Sequence, residues 1–233
     1  MARDEFFADV RRAVQFMAPR VEADSPFTDP EYIRKMLRVG DPLDHWLSSR
    51  VVQAFRPEDF VEDPRGAELA DAVTRFRQVA AGVDPTGPVR WDQLDAAIPP
   101  FVVIVRTIQD LIREDWLAAS NALLDEAEGW AKGQEWPTRR FSRQITEDFV
   151  GKYELDRLIY SAEGAQLALI PVGRFVPGTD GMLDLAVMPA YDSMNVIRRK
   201  RHWSIEPLPG VKGQEDWSKT AFIAKSLDLA RLP

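Results

Sequence analysis

Between Phe101 and Trp130 the apolar residues recur at three- and four-residue intervals, and that spacing dictates a long helix with one buried stripe. Ile104, Ile108, Leu111, Ile112, Ala119, Leu123, Ala127 and Trp130 form the stripe, with Arg113, Glu114 and Asp125 turned outward. Its valine-rich start, Phe101 to Val105, would also suit a strand. The preceding Pro99-Pro100 pair and the continuing period favour a helix that opens after Pro100. Trp116 and Trp130 are expected in packing positions on this helix, and Trp136, before Pro137, reads as the anchor of the loop that ends it.

Upstream, the chain is punctuated by Asp-Pro at residues 29–30, 41–42, 63–64 and 84–85. Aspartate at the N-cap with proline in the first turn opens helices, so several short helices are expected at uneven spacing rather than a repeat array. Near Asp41-Pro42, Asp44 falls three residues after the cap, as in a capping box, and His45 lies in the first turn.

The texture changes near Phe149. Weak alternation runs through Phe149 to Ser161, breaks at Glu163-Gly164, and resumes from Ala165 with Leu167, Leu169 and Phe175 on one face. Residues 177–181, Pro-Gly-Thr-Asp-Gly, have turn composition, and Met182 to Met188 form a short strand apolar on both faces, as a central strand would be. An amphipathic helix carrying Phe222, Ile223, Leu227, Leu229 and Ala230 closes the chain.

The expected class is therefore α+β. A mainly helical, acidic part (1–148) is predicted to pack on an antiparallel meander of four or five strands with a C-terminal helix (149–233), as two parts or one compact domain. At 233 residues, 45% hydrophobic and 29% charged, the chain can bury a sizeable core.

Charge and composition restrict function. Residues 1–148 hold 27 acidic against 19 basic side chains, the remainder 10 against 11, and the net charge is −7. A general nucleic-acid binder is unlike that balance. The absence of cysteine removes disulfides, thiolate metal sites and cysteine nucleophiles, and two histidines, His45 and His202, cannot build a multi-histidine zinc centre. A metal, if used, would be a hard cation such as magnesium on carboxylates. Charges interrupt the first twelve residues where a signal peptide needs an apolar run, and no stretch is long enough to span a membrane, so a cytoplasmic protein without membrane contact is expected.

Two groups of residues are candidates for chemistry. The first is Asp184 in its apolar strand, with Asp192 and Glu206 as possible partners in a carboxylate-based, magnesium-dependent hydrolase or nuclease. A five-residue turn at 177–181 would set Arg174 opposite Asp184 as a structural ion pair, and a two-residue turn would set Phe175 there. Nucleases that use an acid followed by acid-x-lysine are not matched, because Ala186 stands where the lysine is needed.

The second is the basic run Arg198, Arg199, Lys200 and Arg201. Folded as a hairpin about Arg199-Lys200, it sets Val196 against Trp203 and Met194 against Ile205, with Asn195, Ile197, His202 and Ser204 on the other face. Arg-Lys suits a two-residue turn poorly, so a longer loop that holds its charges in water is expected. Contact with phosphates or an acidic surface is its functional alternative.

P-loop, dinucleotide-binding, nucleophile-elbow and zinc-protease motifs are all missing. The leading expectation is a non-enzymatic binding or regulatory module acting through protein–protein contacts, with the metal-dependent hydrolase and the basic hairpin as alternatives.

Overall fold

The computed structural model describes residues 64–82, 91–147, 150–176, 178–190, 192–206 and 213–231. The Asp-Pro pairs at 29–30, 41–42 and 84–85, together with Asp44, His45 and Asp63, lie outside them. The chain divides into one compact unit of residues 1–113 with 148–151 and a second of 114–147 with 152–233.

In the first unit, α1 (Arg65–Ala81) starts directly after Pro64, in keeping with an Asp-Pro start. It buries Ala72 and Phe76, and the Phe76 ring tilts against Phe101 at a centroid distance of 5.5 Å. Helix α2 (Trp91–Lys132) runs 42 residues and passes from the first unit into the second. It begins ahead of the expected start and carries Pro99 and Pro100 inside. Each proline removes an amide bond to the carbonyl four residues back, a cost of about 3 kcal/mol in a helix interior. Burial of Ala97, Phe101, Ile104 and Val105 around them offsets it. Of the predicted stripe, Ile104, Ile108, Leu111, Ile112, Leu123 and Ala127 are buried, Ala119 and Trp130 are half-buried, and Glu114 and Asp125 are exposed.

The second unit holds a seven-stranded sheet in simple meander order: β1 (Thr138–Glu147), β2 (Gly151–Ala162), β3 (Ala165–Gly173), β4 (Met182–Met188), β5 (Ser193–Arg199), β6 (His202–Glu206) and β7 (Glu215–Asp216). The expected four or five strands are too few. Two-residue β7 carries no pattern to read, and β1 buries only Ile145, so an exposed, arginine-rich edge strand gave no alternation signal. Strand structure also starts at Thr138, ahead of the expected boundary at 149.

Leu158, Tyr160, Leu167, Leu169, Leu183, Leu185, Met194, Val196 and Ile205 are buried on one face of the sheet, and Ala168, Ala186 and Ile197 are buried on the other. Helix α3 (Lys219–Ala230), capped by the Ser218 hydroxyl accepting from the Ala221 amide, places Phe222 among Tyr160, Trp130, Trp136 and Trp217 on the Tyr160 side. The Trp136 ring stacks on Tyr160 at 5.8 Å, so it does anchor the loop after α2. Burial pushes the Tyr160 hydroxyl up, and the neutral group shares a 2.6 Å hydrogen bond with Ser226, whose hydroxyl donates to the Phe222 carbonyl. No described helix is long and apolar enough to cross a membrane.

Candidate functional site

The basic run does form a hairpin, but with a different turn. Arg199 pairs with His202, Arg198 with Trp203 and Val196 with Ile205, so the two-residue turn is Lys200-Arg201, at φ +50° and +68°. The expected register was two residues off, which preserves side-chain parity: Val196 and Ile205 still share one face, and Asn195, Ile197 and Ser204 the other, where Ile197 and Ser204 are buried as well. That parity sends Arg198 inward. Its side chain is 6% exposed, and its two Nη atoms donate to the Asp115 carboxylate at 2.6 and 3.1 Å. The expectation that all four basic residues stay in water is therefore corrected for Arg198, because pairing with a carboxylate on α2 offsets its desolvation. Arg199 lies at the surface, paired with Glu206 at 3.0 Å and donating to the Gly178 carbonyl, while Lys200 and Arg201 are exposed at the tip.

Asp184 pairs with Ile170 on one side and Asn195 on the other, so neither Arg174 nor Phe175 stands opposite it. The connection from β3 to β4 runs from Arg174 to Gly181, longer than either predicted turn. Among the described residues no cation pairs with Asp184, and burial pushes its carboxyl up. Ile170, Asp184, Asn195 and Glu206 form one cross-strand row on the face opposite α3. Asp184 and Glu206 are two strands apart in it, about 10 Å at ordinary strand spacing. Asp192 is exposed in the β4–β5 turn, where its carbonyl accepts from the Val187 amide at 3.0 Å. Among the described residues no group of three acids or histidines is arranged to hold a metal ion.

A cluster that sequence reasoning missed lies at the Arg174–Gly181 connection. Trp116 packs on Gly181, at φ +137°, where a Cβ would come 2.2 Å from the indole. The indole Nε1 donates to the Tyr153 hydroxyl at 3.0 Å, and that hydroxyl donates to Glu147. Glu147 also accepts from the Arg174 and Phe175 amides at 3.0 and 2.9 Å. Burial, then the Glu147 carboxylate, push the Tyr153 hydroxyl well above its ordinary value, so it serves as a neutral donor. Asp180 is tied to the hairpin through its amide, which donates to the Arg198 carbonyl at 2.6 Å, and through its carboxylate, which accepts from the Lys200 amide.

Arg174 occupies the middle of these groups with 3% of its surface exposed. Its Nε finds no acceptor, and among the described residues no carboxylate lies within ion-pairing distance of it. Desolvation lowers its affinity for the proton, with Asp180, Asp115 and Glu147 acting against that through space. Its cation lies 5.6 Å from the Phe175 ring. A buried guanidinium with no carboxylate at pairing distance among the described residues costs several kcal/mol, so this position is chemically conspicuous. In sequence it is one arginine in a loop, and nothing local marks it as buried.

The sheet edge carries a different arrangement. Strand β1 exposes Phe141, 42% accessible, beneath the Arg157 guanidinium at 5.5 Å. Arg139 and Arg143 on either side are exposed and have no acidic partner among the described residues. Arg140, by contrast, is drawn to Asp125 and Glu128 of α2 at 2.6 and 2.7 Å. Glu126 accepts from the Trp217 indole at 3.0 Å, so the acids of this helix segment are engaged inside the chain.

No family model matches this chain, and the comparisons with curated proteins and with solved structures find no significant match.

Proposed function

We propose that this chain is a non-enzymatic binding module that engages a protein partner along the β1 edge of its sheet. The supporting observation is the exposed Phe141–Arg157 pair on a ten-residue terminal strand, flanked by Arg139 and Arg143. An edge strand offers an outward row of amides and carbonyls, which an extended peptide can satisfy by adding a strand. Phe141 supplies an apolar anchor, and the three arginines select a segment that carries acids. Strand addition needs backbone amides and carbonyls, which a peptide has and a nucleic acid lacks, so a peptide is the better occupant.

The magnesium-dependent hydrolase reading draws no support from the row that separates Asp184 from Glu206. The basic hairpin is a weaker contact than its composition suggests, since Arg198 and Arg199 already hold acids.

A photo-crosslinking residue at position 141, compared with one at exposed Ala224 on α3, tests the proposal in cells that express the chain. A discrete protein adduct is expected at 141 only, and it should vanish when Arg139 and Arg143 are changed to Glu. Adducts of equal yield at both positions would sink the edge-strand reading, and a nucleic-acid adduct at 141 would replace it.

A further inference from the structure

We propose that Arg174 anchors a binding site for a small oxyanion, a carboxylate or phosphate group received by its two Nη atoms. The charges around it are already in use. Asp115 receives both Nη atoms of Arg198. Asp180 accepts from the Lys200 amide, and Glu147 accepts from Tyr153 and from the amides of Arg174 and Phe175. Each of the three nearby acids thus has its own donors, and Arg174 is left as a buried cation without a carboxylate at pairing distance among the described residues.

The guanidinium is also held in place. Glu147 fixes the backbone of Arg174 and Phe175, and a Cβ on Gly173 would come 2.9 Å from the same carboxylate. Phe175 lies under the cation, and Trp116 closes on Gly181 at the far end of the connection. Only the Nε atom of Arg174 is both sealed from solvent and without an acceptor, so the Nη pair is the part that a ligand engages. A planar fork of this kind recognises carboxylate and phosphate through paired hydrogen bonds, and a preorganised arginine loses little freedom in doing so.

The test uses the full chain at constant ionic strength, with chloride replaced by inorganic phosphate in one series and by acetate in another. Thermal unfolding and the arginine Nε–Hε resonances are followed together. A saturable rise in Tm and a saturable shift of the Arg174 resonance are expected with at least one anion, and the responding series identifies the group as phosphate or carboxylate. Arg174→Lys should weaken the response about tenfold or more, and Arg174→Gln should abolish it. An Arg174 resonance that moves with neither anion overturns the proposal, as does an equal rise in Tm in Arg174→Gln. If Arg174→Gln does not fold, the resonance titration of the unaltered chain decides alone.

Discussion

Arg198 on β5 reaches Asp115 on α2 with both Nη atoms, at 2.6 and 3.1 Å, and this pair connects the strand to the helix through charge at a position otherwise given to apolar side chains. Burial alone would raise the Asp115 carboxyl, but the Arg198 hydrogen bonds and the Arg198, Arg174 and Arg201 charges hold it below the usual carboxylate range. Removing one member leaves the other buried and unpaired. Asp115→Ala should therefore lower stability by about 3 kcal/mol, measured by urea unfolding at pH 7. A carboxyl held low when folded contributes stability above its unfolded value, near 4, and loses it as pH falls through the folded value. The gap in Tm between Asp115→Ala and the parent should consequently narrow as the pH is lowered below about 4.

Asp184 titrates in the opposite sense. Its raised carboxyl keeps a proton in the folded state at pH values where the unfolded chain has lost it, so ionisation costs stability as pH rises above about 4. Asp184→Asn should stabilise the protein at pH 7, by less than about 1 kcal/mol given its partial access to solvent. Below pH 4 the two Tm values should converge. A variant that is less stable than the parent at pH 7 would show that an ionised Asp184 has a partner in solution.

Gly181 is predicted to be intolerant of any side chain. A Cβ there would lie 2.2 Å from Trp116 on a backbone at φ +137°, so overpacking and backbone strain add. Gly181→Ala should cost about 3 kcal/mol or more. Near-ultraviolet circular dichroism would report the displaced indole, and an unchanged spectrum with unchanged stability would contradict the packing.

The Lys200-Arg201 turn can be improved. Both residues hold left-handed angles, φ +50° and +68°, which cost a side-chain-bearing residue about 1 kcal/mol each. Replacing the pair by Asn-Gly should raise stability by roughly 1 kcal/mol in total after loss of local contacts, seen as a higher urea midpoint. A lowered midpoint would mean that the tip side chains hold the hairpin more strongly than the turn strains it.

Periodicity alone was enough for several elements. The three-and-four spacing from Ile104 to Ala127 determined a helix and its buried stripe, and the apolar run Met182 to Met188 determined a strand in the middle of a sheet. Side-chain parity in the Val196–Ile205 hairpin was also legible, because alternation in a strand survives a two-residue slip of register. Local pattern has no access to distant partners. Only the tertiary structure decided that Pro99 and Pro100 lie inside α2, that Arg198 turns inward, and that Asp184 faces Ile170 and Asn195 instead of Arg174. The physical reason is common to all three. Packing energy outweighs the helix penalty of proline, a carboxylate 83 residues away makes a buried arginine tolerable, and the length of the connection before β4 sets which residues meet across the ladder. The exposed Phe141 and the buried Arg174 belong to the same class, since the same residue types in the same local sequence could as well have been placed the other way.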